Sequence, residues 1–93
     1  MAKIVENKKG FRVIEISREE VLSKLAKYGS RGTCDYCNKY HANGYYVAAI
    51  NQWMCPVCYE RWMKWAERRS EDIPFEKSNF DRYCLIFGLK KWD

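Results

Sequence analysis

The 93-residue sequence predicts a small α+β domain organised around a metal site. Three observations lead to this fold class. Two Cys-x-x-Cys pairs are separated by seventeen residues, β-branched runs flank a Gly-containing turn, and two serines each precede an acidic residue by three positions at the start of helical apolar patterns. We therefore expect one zinc-stabilised domain over residues 1–93, with segments 1–33, 34–69 and 70–93.

The first segment is expected to contain a β-hairpin and a helix. Residues 4–5 and 11–16 are rich in β-branched side chains and lie on either side of an Asn-Lys-Lys-Gly turn. Ser17 followed by Glu20 has the form of a capping box, and apolar residues then recur at helical spacing. The pattern predicts a helix over residues 18–28 that ends at a glycine.

The first cysteine pair, Cys34 and Cys37, is expected to form a metal-binding turn, or knuckle. The flexible residues 29–33 lead into it and allow backbone N–H groups to approach the sulfur atoms. A second hairpin should follow, because residues 45–49 and 53–54 have strand character and an Asn-Gln turn separates them.

The second cysteine pair, Cys55 and Cys58, is expected to open a helix. Cys55 takes the N-cap position and Pro56 suits the first helical position. Neither glycine nor proline interrupts the chain before Arg69, so the helix should run to about that residue and end before Pro74.

The third segment predicts a C-terminal packing helix. Ser78 and Asp81 repeat the capping-box pattern. Four apolar side chains then share one helix face before Gly88, namely Phe80, Tyr83, Cys84 and Phe87. We expect Cys84 to be a buried small apolar residue there rather than a metal ligand.

Four thiols at this spacing match the tetrahedral shell of one structural Zn²⁺ ion. The ligands are Cys34, Cys37, Cys55 and Cys58. Four thiolates leave no open position for an activated water, so we expect a protein that is not an enzyme. The only histidine, His41, follows Cys37 closely enough to replace a cysteine, although a surface position or one beside the metal shell is the simpler expectation.

The order of knuckle, hairpin and helix over residues 34–69 resembles treble-clef zinc fingers, and the Cys-x2-Cys-x17-Cys-x2-Cys spacing is similar to GATA-type fingers. The resemblance implies a helix that could lie in a DNA major groove. Pro56 and Val57 stand where GATA-type fingers carry Asn-Ala, so only the ligand positions are carried over. The Cys-Pro-Val-Cys motif also looks like a glutaredoxin active site, which implies thiol redox chemistry as a minor alternative, and rubredoxin-like iron uses similar pairs.

A basic and aromatic surface is expected on the helix that follows the second cysteine pair. Arg61, Lys64 and Arg68 are spaced i, i+3 and i+7, with Trp65 and Arg69 beside them, and the net charge is +5. Exposed-type aromatics near the knuckle and hairpin add stacking surfaces, namely Tyr36, Tyr40, Tyr45 and Tyr46.

These features suggest nucleic acid, either DNA or RNA, as the partner, because cations follow phosphates and aromatic rings stack on bases. A protein-protein adaptor remains open, since Tyr, Trp and Arg also concentrate binding energy at protein interfaces. A merely solvated basic face is the simplest alternative. No Gly-rich phosphate loop or catalytic set indicates a small-molecule substrate.

The expected location is cytoplasmic. No apolar run approaches the roughly 20 residues of a membrane span, and the N-terminus lacks the apolar stretch of a signal peptide. Five cysteines suit four metal thiolates and one spare thiol in a reducing compartment better than a disulfide framework.

Overall fold

The computed structural model describes residues 2–89, which form a four-stranded antiparallel sheet and three α-helices. The strands are β1 (Lys3–Val5), β2 (Val13–Ser17), β3 (Asn43–Val47) and β4 (Gln52–Met54), arranged in that order across the sheet. The helices are α1 (Arg18–Leu25), α2 (Pro56–Trp65) and α3 (Ile73–Phe87), with 3₁₀ turns at Ala26–Tyr28 and Ser70–Asp72. The α+β prediction is confirmed at this level.

The sheet joins two hairpins that are distant in sequence. β1 and β2 form the predicted N-terminal hairpin, and β3 and β4 form the second hairpin. β2 then pairs with β3 along its whole length, from Val13 opposite Val47 to Ser17 opposite Asn43. The two predicted hairpins therefore form one sheet.

Each face of this sheet is covered by a different apolar core. The first, which we name the helix-packed core, brings one face together with side chains of α1 and α3, and it contains Ala2, Ile14, Ile16, Val21, Leu25, Tyr46, Ala48, Trp53, Phe80 and Cys84. The second, the cysteine-side core, joins the other face to α2 and contains Phe11, Val13, Cys34, Val47, Met54, Cys55, Cys58, Trp62 and Ala66. The alternation of side chains along β2 and β3 sends neighbouring residues to opposite cores.

The first helix follows its sequence signals closely. Ser17 accepts a hydrogen bond from the Glu20 backbone and the Glu20 side chain bonds back to the Ser17 N–H, so the predicted capping box is present. The α-helix ends at Leu25, and the 3₁₀ turn continues to Gly29, whose φ of 91° closes the segment.

In the second hairpin, the first strand lies two residues earlier than expected and the second strand begins one residue earlier. β3 ends at Val47, the turn occupies residues 48–51, and Gln52 already belongs to β4. Asn51 adopts a left-handed φ of 53°, a conformation that asparagine tolerates better than most residues. The strand prediction over residues 45–49 was therefore correct in type and wrong in position.

The second helix is shorter than the sequence pattern predicted. It ends at Trp65, and Ala66 is extended with φ −65° and ψ 139°. Ala66 is buried in the cysteine-side core and its carbonyl accepts a 2.6 Å hydrogen bond from Lys9 Nζ. These tertiary contacts outweigh the helical propensity of the following residues, so the predicted continuation to Arg69 was wrong.

The C-terminal helix begins earlier than expected, at Ile73. Pro74 lies in its first turn, where a missing N–H costs nothing, whereas the sequence analysis had treated this proline as a helix end. Ser78 consequently lies inside the helix and not at its N-cap. Phe80 and Cys84 are buried as predicted, and Gly88 closes the helix with φ 67°.

Candidate metal centre and the adjoining surface

Four cysteine sulfurs converge between the knuckle and the start of α2. The Sγ atoms of Cys34, Cys37, Cys55 and Cys58 all lie within 4.8 Å of one another. Tetrahedral coordination with bonds of about 2.3 Å would hold such sulfurs about 3.8 Å apart, so a small contraction would complete the site. All five cysteines of the chain are free thiols, and this cluster could hold one metal ion.

Backbone hydrogen bonds shape the knuckle that carries the first pair. Cys34 N–H donates to the Lys39 carbonyl at 3.1 Å, and Asn38 N–H donates to the Cys34 carbonyl at 2.8 Å. Asn38 has a left-handed φ of 59°, which tightens the turn. The Tyr36 N–H points at Cys34 Sγ from 3.4 Å, as an N–H that stabilises a thiolate would.

The second pair is positioned by the N-terminus of α2. Cys55 is the N-cap residue and Cys58 lies in the first turn, where the positive end of the helix dipole favours thiolates. Asp35 ties the knuckle to β4, since its N–H donates to the Trp53 carbonyl at 2.9 Å and its Oδ2 accepts from Trp53 N–H at 2.8 Å. These bonds bring the two cysteine pairs together.

The proton affinities of the sulfurs show why the cluster suits a cation. Burial acts to raise the pKa of Cys34, but hydrogen bonds from the backbone of Cys37, Cys55 and Tyr36 outweigh it and lower that pKa to about 7. Burial, hydrogen bonds to the other three thiols and the charge of Cys34 raise the pKa of Cys58 to about 12. A cation among the sulfurs would lower the pKa of every thiol that binds it.

His41 lies beside the cluster rather than within it. Its Nε2 is 3.7 Å from Cys37 Sγ, the one sulfur of the four whose residue is not fully buried. This distance fits a contact with the edge of a metal shell.

The predicted basic stripe is present only in its first half. Arg61 and Lys64 are exposed on α2, and neither forms an ion pair within the described residues 2–89. Trp65 is 64% exposed and rests edge-on against the buried Trp62, with ring centroids 6.4 Å apart. Arg61, Lys64 and Trp65 therefore form one outward surface, which we name the α2 surface.

The second half of the predicted stripe has a different role. Arg68 lies beyond the helix and bonds through Nη2 to Oε1 of the buried Glu76 at 2.7 Å. Arg69 is exposed and lies 3.9 Å from Glu71. The helical spacing proposed for Arg68 does not apply, because the helix ends at Trp65.

The tyrosines near the knuckle and hairpin differ in their exposure to solvent. Tyr36 and Tyr40 are exposed, and Tyr45 is half-buried with its ring stacked 4.5 Å from Tyr59. Tyr46 was grouped with exposed-type aromatics, but it is only 1% exposed, stacks on Tyr83 at 3.5 Å and donates a hydrogen bond to Asn51. The register of β3 turns Tyr46 toward the helix-packed core.

Two features of the surroundings were not predicted from the sequence. Glu76 is 1% exposed and accepts bonds from Arg68 and from the Arg12 backbone, so it joins three segments. The sequence contained one signal of this burial, because Glu76 lies one helical turn before Phe80 on the predicted apolar face. The other feature is a cavity beside Trp65 that includes Gln52, which no sequence pattern marked.

No helix in residues 2–89 is long and apolar enough to span a bilayer. Comparisons with family models, with curated proteins and with solved structures gave no significant match to this chain. The class of protein is therefore defined by its own geometry, as a small α+β protein with a candidate four-cysteine metal centre.

Proposed function

We propose that this protein is a non-enzymatic binding module, held in shape by one structural zinc ion, that binds nucleic acid through the α2 surface. The observation that carries the binding proposal is the exposed Trp65 beside two cations, Arg61 and Lys64, that form no ion pair within residues 2–89. All three lie on a helix that begins at the cysteine cluster.

Zinc is the metal that this donor set favours. Four soft sulfur donors within 4.8 Å of one another suit Zn²⁺ or iron, both of which sulfur ligands bind tetrahedrally. Zinc is the simpler choice for a structural site because it has no redox chemistry. Knuckle, hairpin and helix follow one another in treble-clef order, which supports that type of zinc finger. Since the ligands must be thiolates, we also propose a reducing, intracellular environment such as the cytoplasm.

The metal supports binding indirectly by fixing α2. Cys55 and Cys58 anchor the start of the helix, and Trp62 packs against Phe11 within the cysteine-side core at 4.7 Å between rings. The opposite side of the helix is then presented as a rigid surface. A filled four-sulfur shell has no position for substrate, which supports a binding role over catalysis.

On this surface the cations and the ring have distinct tasks. Arg61 and Lys64 contact phosphates, while Trp65 stacks on a base, an interaction worth about 1–3 kcal/mol in single-stranded complexes. Arg69 extends the cationic edge beyond the helix end. Arg68 stabilises the fold because it pairs with Glu76. Tyr45 stabilises the position of α2 because its ring stacks on Tyr59.

A charge-reversal experiment tests the proposal. The variant Arg61→Glu/Lys64→Glu should lose salt-dependent binding of single- or double-stranded oligonucleotides, followed by tryptophan fluorescence, while its zinc content stays at one ion per chain. The matched control, Lys24→Glu/Lys27→Glu, makes the same charge change on the exposed part of α1 and its 3₁₀ turn. Equal losses in the two variants, or unchanged binding in the first, would contradict the assignment of the α2 surface.

A protein-binding adaptor is the second candidate, because the exposed Trp65 and Arg61 are also the residue types that form interface hot spots. Salt dependence separates the two functions, since phosphate contacts release counterions and protein hot spots depend much less on salt. Absence of oligonucleotide binding at low salt would favour the adaptor.

A further inference from the structure

We propose that the cavity at the C-terminal end of α2 holds one unpaired nucleobase and prefers bases that carry an exocyclic amino group. This inference rests on the proposed function and deepens it, because it assigns a base-binding site next to the phosphate-binding cations of the α2 surface.

The cavity has the size of a site for one flat group. Its volume is about 270 Å³, and it lies where the knuckle, the turn between β3 and β4, and the end of α2 meet. Pockets for whole drug-sized ligands occupy about 300–1,000 Å³, so this one suits a single ring system that remains attached to a chain outside.

Aromatic side chains give the cavity its affinity for a flat ring. Tyr36 from the knuckle is 45% exposed and Trp65 is 64% exposed, and both line the cavity. The buried Trp62 also lines it and supports Trp65 edge-on, at an interplanar angle of 75°. Rings that are exposed yet held in place offer stacking surfaces at little cost in conformational entropy.

Three polar side chains around the cavity carry hydrogen-bond acceptors, and they lie beside the donor Arg69. Gln52 lines the cavity, and its Oε1 is buried without a hydrogen-bond partner among the described residues. The carboxylates of Glu67 and Asp72 line it as well, and ionised carboxylates can only accept. Rotation of the Gln52 amide about its terminal torsion would turn Oε1 toward a ligand in the cavity.

Acceptors select for donors, and this predicts the base preference. Cytosine, adenine and guanine carry exocyclic amino groups, whereas thymine and uracil present carbonyl oxygens at the corresponding position. The amino group of cytosine satisfies Gln52 Oε1 or a carboxylate at this position. Uracil places a carbonyl oxygen there, which would be repelled, and its one donor is the adjoining ring N3–H. Cytosine against uracil is the cleanest comparison, because the two bases differ at this position and at the adjoining ring nitrogen.

The charges around the cavity favour a nucleotide over a basic protein side chain. Arg69 lines the cavity, and Arg61 and Lys64 lie on the helix that leads to it. An arginine-rich peptide would gain from Glu67 and Asp72, but it would meet these three cations and a chain of net charge +5. A nucleotide instead places its phosphate near the cations and its base near the acceptors.

The test compares oligo-dC with oligo-dU of equal length, titrated into the zinc-loaded full chain at neutral pH with tryptophan fluorescence as readout. We expect the wild type to bind oligo-dC roughly tenfold more tightly, as one good base contact allows. Glu67→Gln and Gln52→Leu should each bring this ratio close to one, with zinc content unchanged. Glu19→Gln, at an exposed residue of α1 outside the cavity lining, serves as the matched control and should keep the ratio.

The outcomes distinguish this inference from the proposed function. Equal binding of the two oligonucleotides by the wild type, or a preference that survives in both cavity variants, would overturn the base pocket while the nucleic-acid function stands. Failure of the wild type to bind either oligonucleotide at low salt would overturn both. Saturable binding of an arginine-rich peptide without oligonucleotide binding would replace the nucleobase by a protein side chain.

Discussion

The two faces of the sheet are closed by different physical means. On one face, the helix-packed core brings large apolar side chains of β2 and β3 against α1 and α3. On the other face, the cysteine-side core places four sulfurs at the point where the knuckle meets α2. The first face is stabilised mainly by apolar burial, whereas the second contains four thiols that could hold one metal ion.

Buried polar groups sharpen the contrast. In the helix-packed core, Trp53 Nε1 donates to the Ile16 carbonyl and Asn79 Nδ2 donates to the Ala48 carbonyl, each at 3.0 Å. These groups are satisfied by the protein itself. On the other face, the four sulfurs form a cluster that could hold one metal ion from outside the chain.

Loss of the metal should have the largest effect. We expect Cys55→Ser, or treatment of the wild type with a strong chelator, to unfold the domain, because structural zinc contributes on the order of 10 kcal/mol in small domains. Circular dichroism and zinc analysis measure the result. Cys84→Ala is the matched control, since this cysteine is buried in the helix-packed core and should keep full zinc content. A Cys55→Ser protein that is folded and free of metal would contradict the comparison.

A substitution that leaves a cavity in the helix-packed core should have the next largest effect on stability. Phe80 is fully buried, so Phe80→Ala should lower the free energy of unfolding by about 3–5 kcal/mol in zinc-saturated buffer. Phe75, half exposed on the same helix, provides the control substitution to alanine, with an expected loss below about 1 kcal/mol. Denaturant titration measures both, and similar losses would show that the helix-packed core is not formed as described.

Loss of the ion pair between Arg68 and Glu76 should lower the free energy of unfolding by less than loss of the Phe80 side chain. Arg68→Ala leaves the Glu76 carboxylate buried with one partner fewer, and we expect a loss of about 2 kcal/mol, reduced because the Arg68 side chain is partly solvated. Adding Glu76→Gln should recover part of it. Oligonucleotide affinity should remain that of the wild type under conditions where the variant is folded, and a selective loss of affinity would return Arg68 to the binding surface.

The smallest effect concerns alkaline pH and acts on both faces. Burial raises the pKa of Tyr46 and Tyr83 in the helix-packed region and of Tyr45 and Tyr59 near the cysteine side. The unfolded chain therefore releases these phenol protons first, at pH values near 10, so the free energy of unfolding should fall as pH rises above about 10. Denaturant titrations between pH 8 and 11 measure the slope, and a flat profile would contradict the burial of these phenols.

The sequence predicted those parts that depend on local signals. The capping box at Ser17 follows from residues three positions apart, and the N-terminal hairpin from two strands joined by a short connection. The meeting of the cysteine pairs was predicted from the spacing of metal ligands. The junction of the hairpins through β2 and β3 depends on pairing across a long stretch of chain, which no local pattern records.

The remaining wrong predictions concern residues whose sequence pattern is compatible with two local structures. Pro74 can end one helix or begin another, and only packing decides that α3 starts there. In the pair Tyr45 and Tyr46, alternation places one ring on each face, but the register that buries Tyr46 is set by β2 and β4. The end of α2 at Trp65 is likewise set by the burial of Ala66, a tertiary contact.

The uneven burial of the four cysteines has a consequence for the speed of metal exchange. Cys34, Cys55 and Cys58 are buried, and Cys37 is accessible in part, beside His41. A competing ligand can therefore attack only at Cys37 without opening the fold. We expect the rate of metal transfer to a chelator to rise with chelator concentration until opening of the knuckle becomes limiting. Access to Cys37 would then control how long a bound ion stays in the protein.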